Sequence, residues 1–123
     1  MAATTEEIPR DAWRSYFDQF SKLLGTMEAT VEVTGPDLGD QFLGEHLVLT
    51  GLTYDQKDDV FVIGLDAPGG PPEDLEHLVE HPQRIFVATG ADAGMEMAID
   101  IEDDQDHRTI LRLEHAPELP APE

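Results

Sequence analysis

His77-Leu78-Val79-Glu80-His81 fits H-x-x-E-H, the inverted signature of zinc proteases, and no other segment of the 123-residue chain matches a catalytic chemistry as closely. On a helix, His77 and His81 at i and i+4 share one face, as two zinc ligands must, and Glu80 can act on a metal-bound water. His77 and His81 are therefore the candidate metal ligands. A metal-dependent hydrolase using His77, Glu80 and His81 is the alternative reading of function. Against it, Pro82 ends such a helix at once, and 42 residues remain after His81 to supply a third ligand and a substrate cleft. The plainer account is two exposed histidines at a helix C-terminus, where positive charge is favoured.

Other constellations fail on spacing. The acidic run Asp100-Ile101-Glu102-Asp103-Asp104-Gln105-Asp106 offers the oxygen ligands that calcium needs. However, Gln105 stands where the calcium loop requires glycine and Leu111 where it requires glutamate, so the run reads as a solvated hairpin turn. Gly64 and Gly69 have the spacing of phosphate-loop glycines, yet Gly70-Pro71 replaces the lysine and hydroxyl residue that hold phosphate and magnesium. The serines, Ser15 and Ser21, both fall on the first helix, outside any nucleophile-elbow context. The chain has no cysteine, which excludes disulfides and thiolate metal sites. No cofactor is expected, and the balance is against an enzyme.

Charge narrows the partners. There are 27 acidic against 7 basic side chains, a formal balance of −20, and between Leu23 and Gln83 the one basic residue is Lys57. Such a surface repels itself at ordinary ionic strength, whereas near 1 M salt the Debye length falls to about 3 Å and the repulsion is screened. The composition reads as adaptation to a high-salt cytoplasm. Nucleic acid and anionic membranes are poor ligands for this charge, since both are held by Lys and Arg. A protein partner or self-association is left. Apolar runs reach about six residues, against roughly 20 for a membrane span. The opening Met1-Ala2-Ala3-Thr4-Thr5-Glu6-Glu7 lacks the features of a secretory signal, so a soluble, cytoplasmic domain is expected.

The elements that must position these residues follow from periodicity. Pro9 and Asp11 open a helix on which Trp13, Tyr16, Phe17, Phe20, Leu23 and Leu24 recur at spacings of three and four, before Gly25 stops it. Met27 to Thr34 alternates apolar and polar residues as a half-buried strand. Further strands are predicted near His46 to Tyr54 and over Val60 to Leu65, the latter buried on both faces. A short second helix is predicted from Pro72, with Leu75, Leu78 and Val79 inward until Pro82. Strands over Arg84 to Thr89, Met95 to Ile101 and His107 to Glu114 complete the set.

Several segments carry a family resemblance: Ile8-Pro9-Arg10-Asp11-x-Trp13 with Phe17 and Phe20, Gly51-Leu52-Thr53-Tyr54-Asp55 with Asp58-Asp59, Leu75-Glu76-His77-Leu78 through His81-Pro82, and Thr109-Ile110-Leu111-Arg112-Leu113. Through them the chain resembles, over nearly its whole length, a family of short uncharacterised prokaryotic proteins catalogued as a domain of unknown function. The resemblance implies one full-length domain and transfers no activity, substrate or catalytic residue.

The expected class is α+β: a six-stranded, mainly antiparallel curved sheet or small barrel-like meander, with an N-terminal amphipathic helix and a short second helix. Residues 1–8 are expected as a flexible N-terminus, 9–115 as a single globular domain, and 116–123 as a disordered, acidic, proline-rich tail. The expected function is a non-catalytic binding or assembly domain.

Overall fold

Residues 4–22, 27–37, 39–66, 75–89 and 97–115 are described by the structure, a computed structural model. Among them the chain forms one helix and eight strands, and it is α+β as expected. The strands are β1 (Thr4–Glu7), β2 (Met27–Gly35), β3 (Gly39–Asp55), β4 (Val60–Asp66), β5 (Leu75–Glu80), β6 (Pro82–Thr89), β7 (Met97–Asp103) and β8 (Arg108–His115). They make one antiparallel sheet in the order β1-β6-β7-β8-β2-β3-β4-β5. A one-turn 3-10 segment, Arg10–Ala12, leads into α1 (Trp13–Lys22). No helix among the described residues is long and apolar enough to cross a membrane. The expected tail 116–123, the helix start at Pro72 and the helix end at Leu23 to Gly25 lie outside the described residues.

Three expectations are corrected. The sheet has eight strands rather than six. The short second helix is instead strand β5, paired with β4 so that Phe61 faces Val79 and Val62 faces Leu78. Six residues with apolar Leu75, Leu78 and Val79 satisfy a helical spacing and a strand spacing almost equally, and the available β4 edge decides between them. Thr4–Glu7, expected to be flexible, pairs with β6 as an edge strand, and Ile8 behind it is buried. A smaller correction concerns β4: Phe61, Ile63 and Leu65 are buried, while Val60, Val62 and Asp66 remain half-exposed, so one face alone is covered.

The sheet must curl. β5 and β6 stand six strand spacings apart in the order, yet His81 is the single residue between them. A flat sheet would hold them roughly 29 Å apart at about 4.8 Å per strand, while two peptide units reach about 7 Å. The bending is built into β3. Register shifts against β2 fall between Ala29 and Val31 and between Val31 and Glu32, and another against β4 falls between Leu49 and Gly51. Each places an extra residue in β3, and such bulges bend and twist the strand that carries them. At the last one Ser21 Oγ donates to the Leu52 carbonyl (2.8 Å) and accepts the Leu52 N–H (3.0 Å), which ties α1 to the bent strand.

The concave side holds one core. Trp13 and Phe17 of α1 are buried, with Trp13 edge-on to Tyr54 (5.0 Å between ring centroids) and Phe17 edge-on to Phe61 (4.9 Å). Ile85, Ile99, Ile101, Leu111 and Leu113 continue the same cluster across β6, β7 and β8. The aromatic stripe of α1 is thus core.

Candidate functional site

The corner between β5 and β6 organises the polar chemistry of the molecule. His81 occupies it with φ +55°, and Asp59, at the start of β4, also has positive φ (+53°). Asp55 sets up the preceding turn by accepting the Lys57 N–H at 3.0 Å and the Asp58 N–H at 3.3 Å with one carboxylate oxygen, a standard side-chain mimic of a backbone turn. Asp59 is thereby aimed at three donors. Tyr54 Oη donates to its Oδ1 at 2.6 Å, Arg10 Nη1 approaches the same oxygen at 3.5 Å, and His81 Nδ1 lies 3.3 Å from Oδ2. The His81 backbone N–H donates to the Asp59 carbonyl at 2.9 Å. Arg10 also donates to the Pro82 carbonyl at 2.8 Å and sits 4.5 Å above the Trp13 ring.

The Tyr54 hydrogen bond, helped by His81 and Arg10, holds the Asp59 carboxyl below its ordinary range. Burial, with the bond and charge of Asp59, raises the Tyr54 phenol. Arg10, Trp13, Tyr54, Asp59, His81 and Pro82 come from three of the segments that carry the family resemblance, separated along the sequence and joined here.

A cavity of about 350 Å³ opens beside this corner. One wall is 77–81, the outer strand of the sheet; the other is Asp103, Asp104, Gln105, His107 and Thr109, around the β7–β8 turn, with Val33 at the base. The acidic run does form that hairpin turn: Asp103 Oδ1 accepts the N–H groups of Gln105 and His107, both at 2.9 Å. His107 is gripped between carboxylates, with Nε2 2.8 Å from Asp37 and Nδ1 3.5 Å from Asp103. The Asp37 bond comes first in raising the His107 pKa, and it lowers that of Asp37. Gly35 makes the seat possible, because a Cβ there would collide with the imidazole.

The cavity brings His77 and His81 together with His107, Glu80 and two further acids, though without the helix that the zinc signature presupposes. Along β5, Val79 is buried, His77 half-buried, and Glu76, Leu78 and Glu80 exposed, so His77 and Glu80 project to opposite sides of the strand. Burial lowers the His77 pKa and favours the neutral ring. Among the described residues no group of three or more His, Asp or Glu is placed to hold a metal ion. Among the described residues neither Lys, Arg nor Ser lines the cavity, and what it offers is carboxylate, imidazole, the Gln105 amide, the Thr109 hydroxyl and backbone.

Sequence spacing gave no sign of His107 with Asp37, nor of Tyr54 with Asp59 and Arg10. The nearest signal was the pairing of Asp103 with His107 at the two ends of a tight turn.

Among the described residues, every second backbone position along this wall is unpaired. His81 N–H donating to the Asp59 carbonyl places that residue pair in the hydrogen-bonded class of the β4–β5 ladder. Antiparallel pairs alternate, so Phe61–Val79 and Ile63–His77 belong to the same class, and Glu76, Leu78 and Glu80 carry their N–H and C=O groups toward the free edge. Leu78, 51% exposed, is the large apolar side chain standing out in solvent among the described residues.

A family model described as "Family of unknown function (DUF5335)" matches residues 4–122. An "Uncharacterized protein" of Aquifex aeolicus (strain VF5) is 39% identical over 119 residues, covering 97% of this chain and 98% of that protein. No solved structure matches the chain.

Proposed function

The chain belongs to this family of unknown function, and because the family passes no activity on to it, we propose from the site itself that it is a non-catalytic binding or assembly domain working in a high-salt cytoplasm. One observation carries the reading: the cavity beside the corner has for a wall a strand edge that is unpaired among the described residues. An exposed edge is a template for another chain, and a protein that keeps one uncovered either guards it or uses it. The residues around it support binding over catalysis. His81 and His107 are committed to carboxylates, and Glu80 projects away from His77.

The surface supports the high-salt part of the reading. Arg10, Arg108 and Arg112 pair with Asp59, Asp100 and Glu32, and because each pair is neutral the whole −20 balance is left to be screened by ions.

Two measurements test the proposal. Displayed random peptides should yield ligands that bind the purified chain saturably at 1:1, and its melting temperature should climb between about 0.1 M and about 1 M potassium chloride. Zinc-dependent hydrolysis of a peptide or ester that is lost in Glu80→Gln would replace binding with catalysis. A melting temperature that is flat or falling with salt would remove the high-salt element.

A further inference from the structure

We infer that β5 is a docking edge for an extended, basic segment of a partner protein, which adds to the sheet as a ninth strand beside Glu76, Leu78 and Glu80. This deepens the binding reading and rests on it. Three observations converge. The N–H and C=O groups of these three residues point away from β4 and pair with no strand among the described residues; β7 approaches β5 without pairing to it. Five consecutive residues, 77–81, line the cavity whatever the direction of their side chains, as happens when the edge of a strand, not its face, forms a wall. The cavity therefore lies where an added strand would lay its inward side chains, beside Val33 and Thr109.

The outward face of β5 dictates the chemistry of the occupant. It reads Glu76, Leu78, Glu80, all exposed, with Val62 flanking Leu78 on β4. In an antiparallel ladder the residue directly opposite on a new strand lies about 5.5 Å away at hydrogen-bonded pairs. Opposite charges and apolar pairs stabilise such positions, and like charges destabilise them. The complementary strand accordingly reads basic, apolar, basic at alternating positions, and Asp103 and Asp104 across the cavity add to its preference for positive charge.

A second copy of the chain fits less well. Pairing that sets Leu78 against Leu78 also sets each Glu76 against a Glu80, and it brings together two molecules of charge −20.

The test uses the full chain and the capped heptapeptide Thr-Lys-Thr-Val-Thr-Lys-Thr, followed by calorimetry and by amide chemical shifts, with Thr-Glu-Thr-Val-Thr-Glu-Thr as the charge control. The basic peptide should bind at 1:1 and shift the amides of Glu76, Leu78 and Glu80, and the acidic one should bind at least tenfold more weakly. Leu78→Pro removes an edge N–H that β4 does not use, a position where proline is tolerated, and should weaken binding at least tenfold. Glu76→Lys/Glu80→Lys changes two exposed side chains and should invert the preference between the peptides, which keeps the test decisive if the proline variant folds poorly. Equal affinity for both peptides, or basic-peptide binding unchanged in both variants, overturns the edge while leaving other binding surfaces open. A concentration-dependent dimer abolished by Leu78→Pro overturns it in favour of a second copy. If displayed peptides and both heptapeptides alike fail to bind, the binding reading itself is lost.

Discussion

Tyr54 and Asp59, five residues apart around the β3–β4 turn, are joined by a 2.6 Å hydrogen bond from the phenol to the carboxylate. Tyr54 is 6% exposed, so its ring serves the core while its hydroxyl anchors the polar corner. Tyr54→Phe keeps the ring and deletes the bond. A hydrogen bond to a charged group contributes about 1.5–3 kcal/mol, and the low end applies because the Asp59 side chain is 34% exposed. Denaturant unfolding at neutral pH measures the loss. The acid limb gives a second readout. With its folded pKa depressed, Asp59 contributes stability above its unfolded value of about 3.9 and loses it as pH falls through the lower folded value. Tyr54→Phe should shrink that contribution, and an unchanged acid profile would remove Tyr54 as its source.

His107 works in the opposite sense. Held between Asp37 and Asp103, it has a raised folded pKa. Its contribution is complete below the unfolded histidine value of about 6.5 and disappears as pH rises through the higher folded value. Melting curves across that window should fall with pH for the parent chain and flatten for His107→Gln. Gly35→Ala, which pushes into the seat of the ring, should flatten them too.

Phe17 is fully buried against Phe61. Phe17→Ala should cost about 3–5 kcal/mol, a large share of the stability of a small domain, and should show as loss of cooperative unfolding or a much lower midpoint. Retention of the midpoint would mean that the helix is not a core element.

Zinc removal addresses His77 and His81. A structural zinc contributes folding energy outright, so a chelator would then unfold the protein. Because the two histidines lie on a strand and at its corner instead of on one helix face, melting curves with chelator, with zinc and for His77→Ala/His81→Ala should nearly coincide in high salt. A chelator-dependent drop, reversed by zinc only when both histidines are present, would reinstate the metal.

Local pattern was enough for part of this fold. The three-and-four spacing of Trp13, Phe17 and Phe20 places α1, and strict alternation from Met27 to Thr34 places β2, because each long periodic segment admits one solution. β5 was not legible, since a six-residue segment with Leu75, Leu78 and Val79 fits two periods and only the β4 edge discriminates. β1 was invisible for another reason: Thr4, Thr5, Glu6 and Glu7 carry no apolar alternation, and backbone pairing to β6 makes the strand. The strand expected near His46 to Tyr54 begins at Gly39, and Gly39 and Gly44, which read as strand breakers, hid that extra length. The corner escaped for a topological reason. Arg10, Tyr54, Asp59 and His81 belong to separate segments, and no spacing rule connects them before the sheet has curled.

The order of the strands also bears on how the chain folds. β2 to β5 and β6 to β8 are two runs of neighbouring strands, and the seam between them, β2 against β8, is closed by residues from opposite ends of the chain. Loop-closure entropy must be met before that seam yields any contact, and sheets dominated by such pairings fold in milliseconds to seconds rather than microseconds. During synthesis β2 can pair with β3 as soon as that strand emerges, whereas β1 waits for β6 and the second edge of β2 waits for β8, the last of the described strands. Until then an unmatched β2 edge stands open, and the dense negative charge along the chain opposes its pairing with other copies.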